Sequence, residues 1–240
     1  MPADERPPAT GFLTLLGEGE VEILGRLPWS SNHTLAVKCS HDGKELLAVY
    51  KPRSGERPLA DFPPGLFRRE VAAYELSAAL GWDVVPETVE RGELSYGPGS
   101  LQRFVPADFT EHYFTFKADP AHEHRLAAIC AFDIVANNAD RKSGHCILGD
   151  DGLIWAIDHG LCFNEAPKLR TVIWELAGRL LPDGFVDALV RVVDEPPEAL
   201  DLLLDSREVD SLRRRAAALA TAGRFPQPPP AGPVYPWPPV

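Results

Sequence analysis

The sequence predicts a two-lobed α+β protein, and three observations carry that reading. The first half of the chain alternates apolar and polar residues at strand spacing and holds one amphipathic helix. The second half runs at helical spacing and is interrupted by one short hairpin pattern. At 240 residues the chain suits one domain or two small lobes sharing a cleft, the crevice where ligands settle.

The elements follow in order. Residues 1–9 are short and polar and are expected to form a flexible tail, with an N-lobe over 10–105. Strands are read at EVEILGRL (20–27), HTLAVKCS (33–40) and ELLAVYK (45–51). The last two are joined at His41-Asp42-Gly43-Lys44, a pair of turn residues suited to a hairpin. LFRREVAAYELSAAL (66–80) sets Leu66, Val71, Tyr74 and Ala78 near one helical face, and Gly81 stops the helix. Two further strands, VVPETVE (84–90) and SLQRFV (100–105), flank a Gly/Pro turn at 97–99.

A C-lobe is assigned to 106–224. It opens with the helical pattern HRLAAICAFDIVANNA (124–139) and continues with the hairpin HCIL, GDDG, LIWAID (145–158). Helices are then expected at LRTVIWELAGRL (169–180), GFVDALVRVV (184–193) and EALDLLLDSREVDSLRRRAAAL (198–219). The Pro-rich end, FPQPPPAGPVYPWPPV (225–240), cannot continue a helix or a central strand. It is free to sample polyproline II and offer itself to an aromatic groove of a partner, or to lie loose or across its own domain.

Composition narrows the function classes. Hydrophobic residues at 45% and charged residues at 25% are ordinary globular usage and exclude global disorder. With 35 acids against 24 bases the net charge is −11, the wrong sign for nucleic-acid binding by phosphate neutralisation or for a polybasic membrane binder. Four cysteines without C-x-x-C spacing suggest a reducing compartment. No leader-like or membrane-spanning run is present, so a cytoplasmic protein without a transmembrane segment is expected.

The chemistry concentrates in DIVANNADRKSGHCILGDDGLIWAIDHG (133–160). If the hairpin closes over 149–152, His145 and Asp158 lie side by side at its open end, with Asp140 in the loop before it. Two converging carboxylates repel unless a cation or a shared proton intervenes, so the pattern allows a divalent-metal site or an acid/base site. Asp140 and Asp158 would serve equally as turn caps, with Gly144 and Gly160 supplying positive φ.

The order D-x-x-x-x-N-x-D-R, hairpin, I-D-x-G resembles the catalytic segment of atypical kinases, the phosphatidylinositol 3-/4-kinase group and its HipA-type bacterial relatives. Upstream, Ala48-Val49-Tyr50-Lys51-Pro52 resembles the strand bearing the ATP lysine, and Arg68 to Tyr74 the helix bearing its glutamate partner. Gly99 to Val105 resembles the strand entering the hinge. The whole chain is also similar to an actinobacterial phosphatidylinositol-kinase-like family.

That resemblance implies a protein-kinase-like fold and an ATP- and Mg²⁺- (or Mn²⁺-) dependent phosphotransferase. It implies that Lys51 meets the nucleotide phosphates with Glu70 holding its ammonium, and that Asp140 handles the attacking hydroxyl. Lys142 would offset charge on the transferring group, and Asp158 would hold the metal. Gln102, Phe104 and Val105 belong to the stretch that would present backbone groups to adenine, while Asp133 would brace the loop.

Two positions depart from the family. His145 stands where the family has Asn as second metal ligand, and imidazole suits Mn²⁺ and other transition metals better than Mg²⁺. In place of a Gly-rich loop the turn reads Leu-Pro-Trp-Ser-Ser-Asn-His, where Ser30, Ser31 and Asn32 would offer hydroxyl and backbone donors to phosphate. The acceptor would be a hydroxyl of a lipid, small metabolite or protein. The alternatives are a pseudokinase or nucleotide-binding interaction module working through its Pro-rich tail, and adenylyl transfer.

Overall fold

The computed structural model describes residues 9–27 and 33–240. Its N-lobe opens with helix α1 (Ala9–Glu18), which sequence patterning had left unassigned. Five antiparallel strands follow: β1 (Glu20–Arg26), β2 (Leu35–His41), β3 (Lys44–Pro52), and, after helix α2 (Leu66–Ala79), β4 (Thr88–Arg91) and β5 (Gly99–Arg103). Their order in the sheet is β1-β2-β3-β5-β4.

Alternation decides the two faces of this sheet. Leu35, Val37 and Cys39 of β2, Ala48 and Tyr50 of β3, and Leu101 of β5 point to one side and close a core with Leu16 of α1. The residues between them, Val49 and Lys51 of β3 and Gln102 of β5, face the opposite way. The β2–β3 register is fixed by the two-residue turn Asp42-Gly43, both at positive φ.

Helix α2 packs on β4 and β5 but carries its other side into the C-lobe, against α5 (Phe185–Asp194) and α6 (Ala199–Leu203). Leu76 of α2 and Leu80, the residue that caps it, therefore share a core with Phe132 of α4 (Glu123–Ala136), Phe163, and Leu212 of α7 (Ser206–Ala222). The short α3 (Tyr113–Phe116) precedes α4. The hairpin pairs β6 (Cys146–Leu148) with β7 (Ile154–Ala156), opposing Ile147 to Trp155.

Three expectations need correction. Residues 169–180 form no helix, because their amides are committed elsewhere: Arg170 donates to Asn138, Thr171 to Val234 and Val172 to Arg141. The segment is a backbone splint between the loop after α4 and the C-terminal stretch, not an amphipathic helix. Residues 198–219 break into α6 and α7 at Asp205, whose side chain accepts from Arg207 N (2.9 Å) while Glu208 reaches back to Asp205 N (3.1 Å). The strand foreseen at 84–90 is confined to Thr88–Arg91.

The Pro-rich stretch lies across its own C-lobe. Val234 O accepts from Thr171 N (3.1 Å) and Trp174 Nε1 (3.0 Å), and Pro239 O accepts from Ser143 N (2.9 Å). All four cysteines are buried and unpaired. No helix among the described residues is long and apolar enough to cross a membrane.

Candidate functional site

The site is assembled by three short elements. On β3, strand alternation turns Lys51 away from the N-lobe core and toward the C-lobe. Glu70 sits in the second turn of α2, and the start of that helix is pinned from outside. Glu56 accepts from Gly65 N (2.8 Å) and Phe67 N (2.9 Å), so its carboxylate stands on the helix N-terminus. Asp158 follows β7 at φ +62°, a conformation rare outside glycine and one that turns up where function fixes a side chain.

These groups meet. Lys51 Nζ is ion-paired to Glu70 Oε1, and it lies 3.0 Å from Asp158 Oδ1. The buried Glu70 carboxylate also accepts from His159 N (2.9 Å) and Gly160 N (3.1 Å), so one group holds both the lysine and the turn carrying Asp158. Burial alone would lower the Lys51 pKa, but the two carboxylates outweigh it and hold the ammonium above its ordinary value. Lys51 in turn is the main cause that keeps the Asp158 carboxyl well below the usual range, against its burial.

The loop 137–145 forms the floor. Asn137 ends α4 in the left-handed region at φ +54°. Asn138 then bridges Asp133 Oδ1 (2.9 Å) and Asp140 N (2.9 Å). Arg141 is fully buried: its guanidinium meets Asp133 Oδ2 (2.9 Å), the carbonyls of His145 (3.0 Å) and Ile157 (2.8 Å), and His159 Nε2 (2.7 Å). Asp140 is left at the surface of this scaffold, 3.4 Å from Lys142 Nζ, with its pKa raised by burial and only partly offset by that lysine.

His145 closes the hairpin mouth. Burial lowers its pKa to about 4, so the ring is neutral near pH 7. Its Nδ1 lies 2.9 Å from the Asp140 carbonyl, which can only accept, and 3.4 Å from Lys142 N. The shorter contact assigns the proton to Nδ1. Nε2 is then an acceptor 3.4 Å from Asp158 Oδ2, another acceptor. Two acceptors at this separation repel unless a proton or a cation lies between them.

Two comparisons with known proteins bear on the whole chain. Protein Rv2133c of Mycobacterium tuberculosis (strain ATCC 25618 / H37Rv) is 36% identical over 262 residues, spanning 93% of this chain and 94% of that protein. The chain belongs to the Rv2133c family. No family model matches it. Among solved structures, hydra Fam20 with sugar superposes with a TM-score of 0.53 at 13% identity, over 88% of this chain and 87% of that one. The Helicobacter pylori proinflammatory kinase CtkA gives a TM-score of 0.44 at 15% identity, over 84% and 97%. This member of the Rv2133c family has a two-lobed, kinase-like fold.

Lys51, Glu70, Asp140, His145 and Asp158 line one cleft of about 660 Å³ between the lobes, and Lys142 stands behind them, paired with Asp140. Gln102, Phe104 and Val105 line its far end with Val49, Ile147 and Ile157. Of the backbone donors there, the Phe104 amide is taken by Leu47 O (2.9 Å) and the Arg103 amide by Glu87 O (2.8 Å). Ser30, Ser31 and Asn32 lie outside the described residues. Sequence reasoning missed Arg141, His159, Glu56 and the buried pair Arg69–Glu208. In an Arg-rich chain nothing marks Arg141 except its place directly after Asp140.

Proposed function

We propose that this protein is an ATP- and divalent-metal-dependent phosphotransferase of the atypical kinase type, acting on a hydroxyl of a lipid, small metabolite or protein. The observation that carries the reading is the Lys51–Glu70 pair standing 3.0 Å from Asp158, with Asp140 on the floor of the same cleft. Placement with the phosphatidylinositol 3-/4-kinase-like group rests on the motifs at 48–52, 68–74, 99–105 and 133–160.

In this reading Lys51 binds the nucleotide phosphates, held in position by Glu70. Asp140 accepts the proton of the acceptor hydroxyl as its oxygen attacks the γ-phosphorus and ADP leaves; burial raises the Asp140 pKa above the ordinary carboxylate value. Lys142 balances the charge on the transferring group. Among the described residues no group of three or more His, Cys, Asp or Glu side chains could hold a metal alone. A dication there would be held by Asp158 and His145 Nε2 and would depend on the nucleotide for the rest of its binding. When bound, the metal supplies charge neutralisation across the phosphates.

Thermal unfolding with ATP plus Mg²⁺ or Mn²⁺ tests binding, since ligand at about 100 times Kd adds roughly 2.7 kcal/mol. The shift is expected to vanish in Asp158→Ala. Transfer of γ-label to a panel of lipids, metabolites and proteins tests turnover. Asp140→Ala should keep binding and lose transfer, and label arriving from the α-phosphate would indicate adenylylation instead. A nucleotide-binding module without turnover is the second reading, favoured by His145 at the second metal position.

A further inference from the structure

The back of the cleft holds a side chain whose orientation is fixed by a relay. Gln102 on β5 lies opposite Val49 of β3 and Thr88 of β4, on the cleft face of the sheet, and is 6% exposed. Thr88 Oγ1 donates its single proton to Pro86 O (2.8 Å). Thr88 can therefore only accept from Gln102, and it does so from Nε2 at 2.9 Å. The amide cannot flip without setting two acceptors against each other. Among the described residues Oε1 has no hydrogen-bond partner, and it is not a sealed atom. The relay leaves a bare, directional acceptor at the cleft end, where Val49, Ile147, Ile157 and Phe104 provide the apolar walls a planar ring needs.

We infer that Gln102 Oε1 reads the exocyclic group of the nucleobase, selecting a 6-amino purine over a 6-keto purine. An amino group donates to Oε1, whereas a keto oxygen at the same place would face it acceptor to acceptor between apolar walls. The backbone amides of Arg103 and Phe104 are already taken by Glu87 O and Leu47 O, so neither competes with Gln102 for the base. The inference rests on the ATP-binding reading above and adds to it the residue that chooses the base.

The test is isothermal titration of the full chain with ATP and with inosine triphosphate, each with Mg²⁺ or Mn²⁺. These nucleotides differ at the 6-position, amino against keto, and in the accompanying proton at N1. The wild type should prefer ATP by roughly tenfold or more. Gln102→Met removes the acceptor and should bring the two affinities within about twofold. Thr88→Val keeps the volume but releases the amide to flip, so it should tighten inosine triphosphate and leave ATP nearly unchanged. Binding of ATP with no preference in the wild type, or a preference that survives both variants, overturns the assignment of Gln102 while leaving the nucleotide site standing. No binding of either nucleotide to the wild type overturns the site itself.

Discussion

Arg69 of α2 and Glu208 of α7 form a buried ion pair that ties the N-lobe helix to the last helix of the C-lobe. Arg69 Nη1 also donates to Cys162 O (2.6 Å), two residues after Gly160 in the turn that Glu70 holds. The neighbouring residues Arg69 and Glu70 thus anchor α2 to the C-lobe at two points.

Breaking this pair from one side should therefore cost more than a surface change. Arg69→Met leaves Glu208 buried without its partner, and a loss of about 3–5 kcal/mol is expected in urea unfolding. Pairing it with Glu208→Leu should recover part of that loss, because both desolvated charges are then gone. A double variant less stable than either single one would contradict the argument.

Arg141 makes a second, sharper case. It is fully buried and joins Asp133, two carbonyls and His159, so Arg141→Met strands an acid and several acceptors at once. A comparable loss, about 3–5 kcal/mol, is expected, with Asp133→Asn milder because an amide still accepts from the guanidinium. Equal unfolding midpoints for Arg141→Met and the parent would contradict the brace.

Acid should weaken the fold through histidines. Burial lowers the His145 pKa to about 4 and that of His159 well below the ordinary value. Between pH 6.5 and about 4 the unfolded chain binds protons at these sites that the folded chain refuses. Their stabilising contribution is full above pH 6.5 and is lost as the pH falls, at about 1.4 kcal/mol per pH unit for each site. His145→Gln should flatten the decline of the urea midpoint between pH 6.5 and 5; an unchanged slope would count against burial as the cause.

The Pro-rich stretch should behave as part of the C-lobe. Chains ending at residue 229 lose the acceptors of Thr171 N, Trp174 Nε1 and Ser143 N. Faster amide exchange at Thr171 and Ser143 and a lower melting temperature are expected. Exchange identical to the full chain would show that these contacts carry no protection.

What the sequence revealed and what it hid divide along physical lines. The hairpin at 145–158 was readable because period-2 alternation and a Gly-Asp-Asp-Gly turn are local signals, and its open end does bring His145 to Asp158. The ends of β2, β3 and α2 were legible for the same reason. Residues 169–180 carry a helical apolar pattern, yet distant partners, Asn138, Arg141 and Val234, take their amides. The break at Asp205 was a capping box hidden inside a continuous run of helix formers. Lys51, Glu70, Asp140 and Asp158 came from motif order, whereas the Arg69–Glu208 pair joins residues 139 apart and has no local trace.

One carboxylate, that of Glu70, answers to both the β3 lysine and the amides after Asp158. Helix and turn are consequently geared together: neither can retreat and leave the other in working order. Moving α2 outward would therefore part the Lys51 ion pair and strip the His159 and Gly160 amides of their acceptor in the same step.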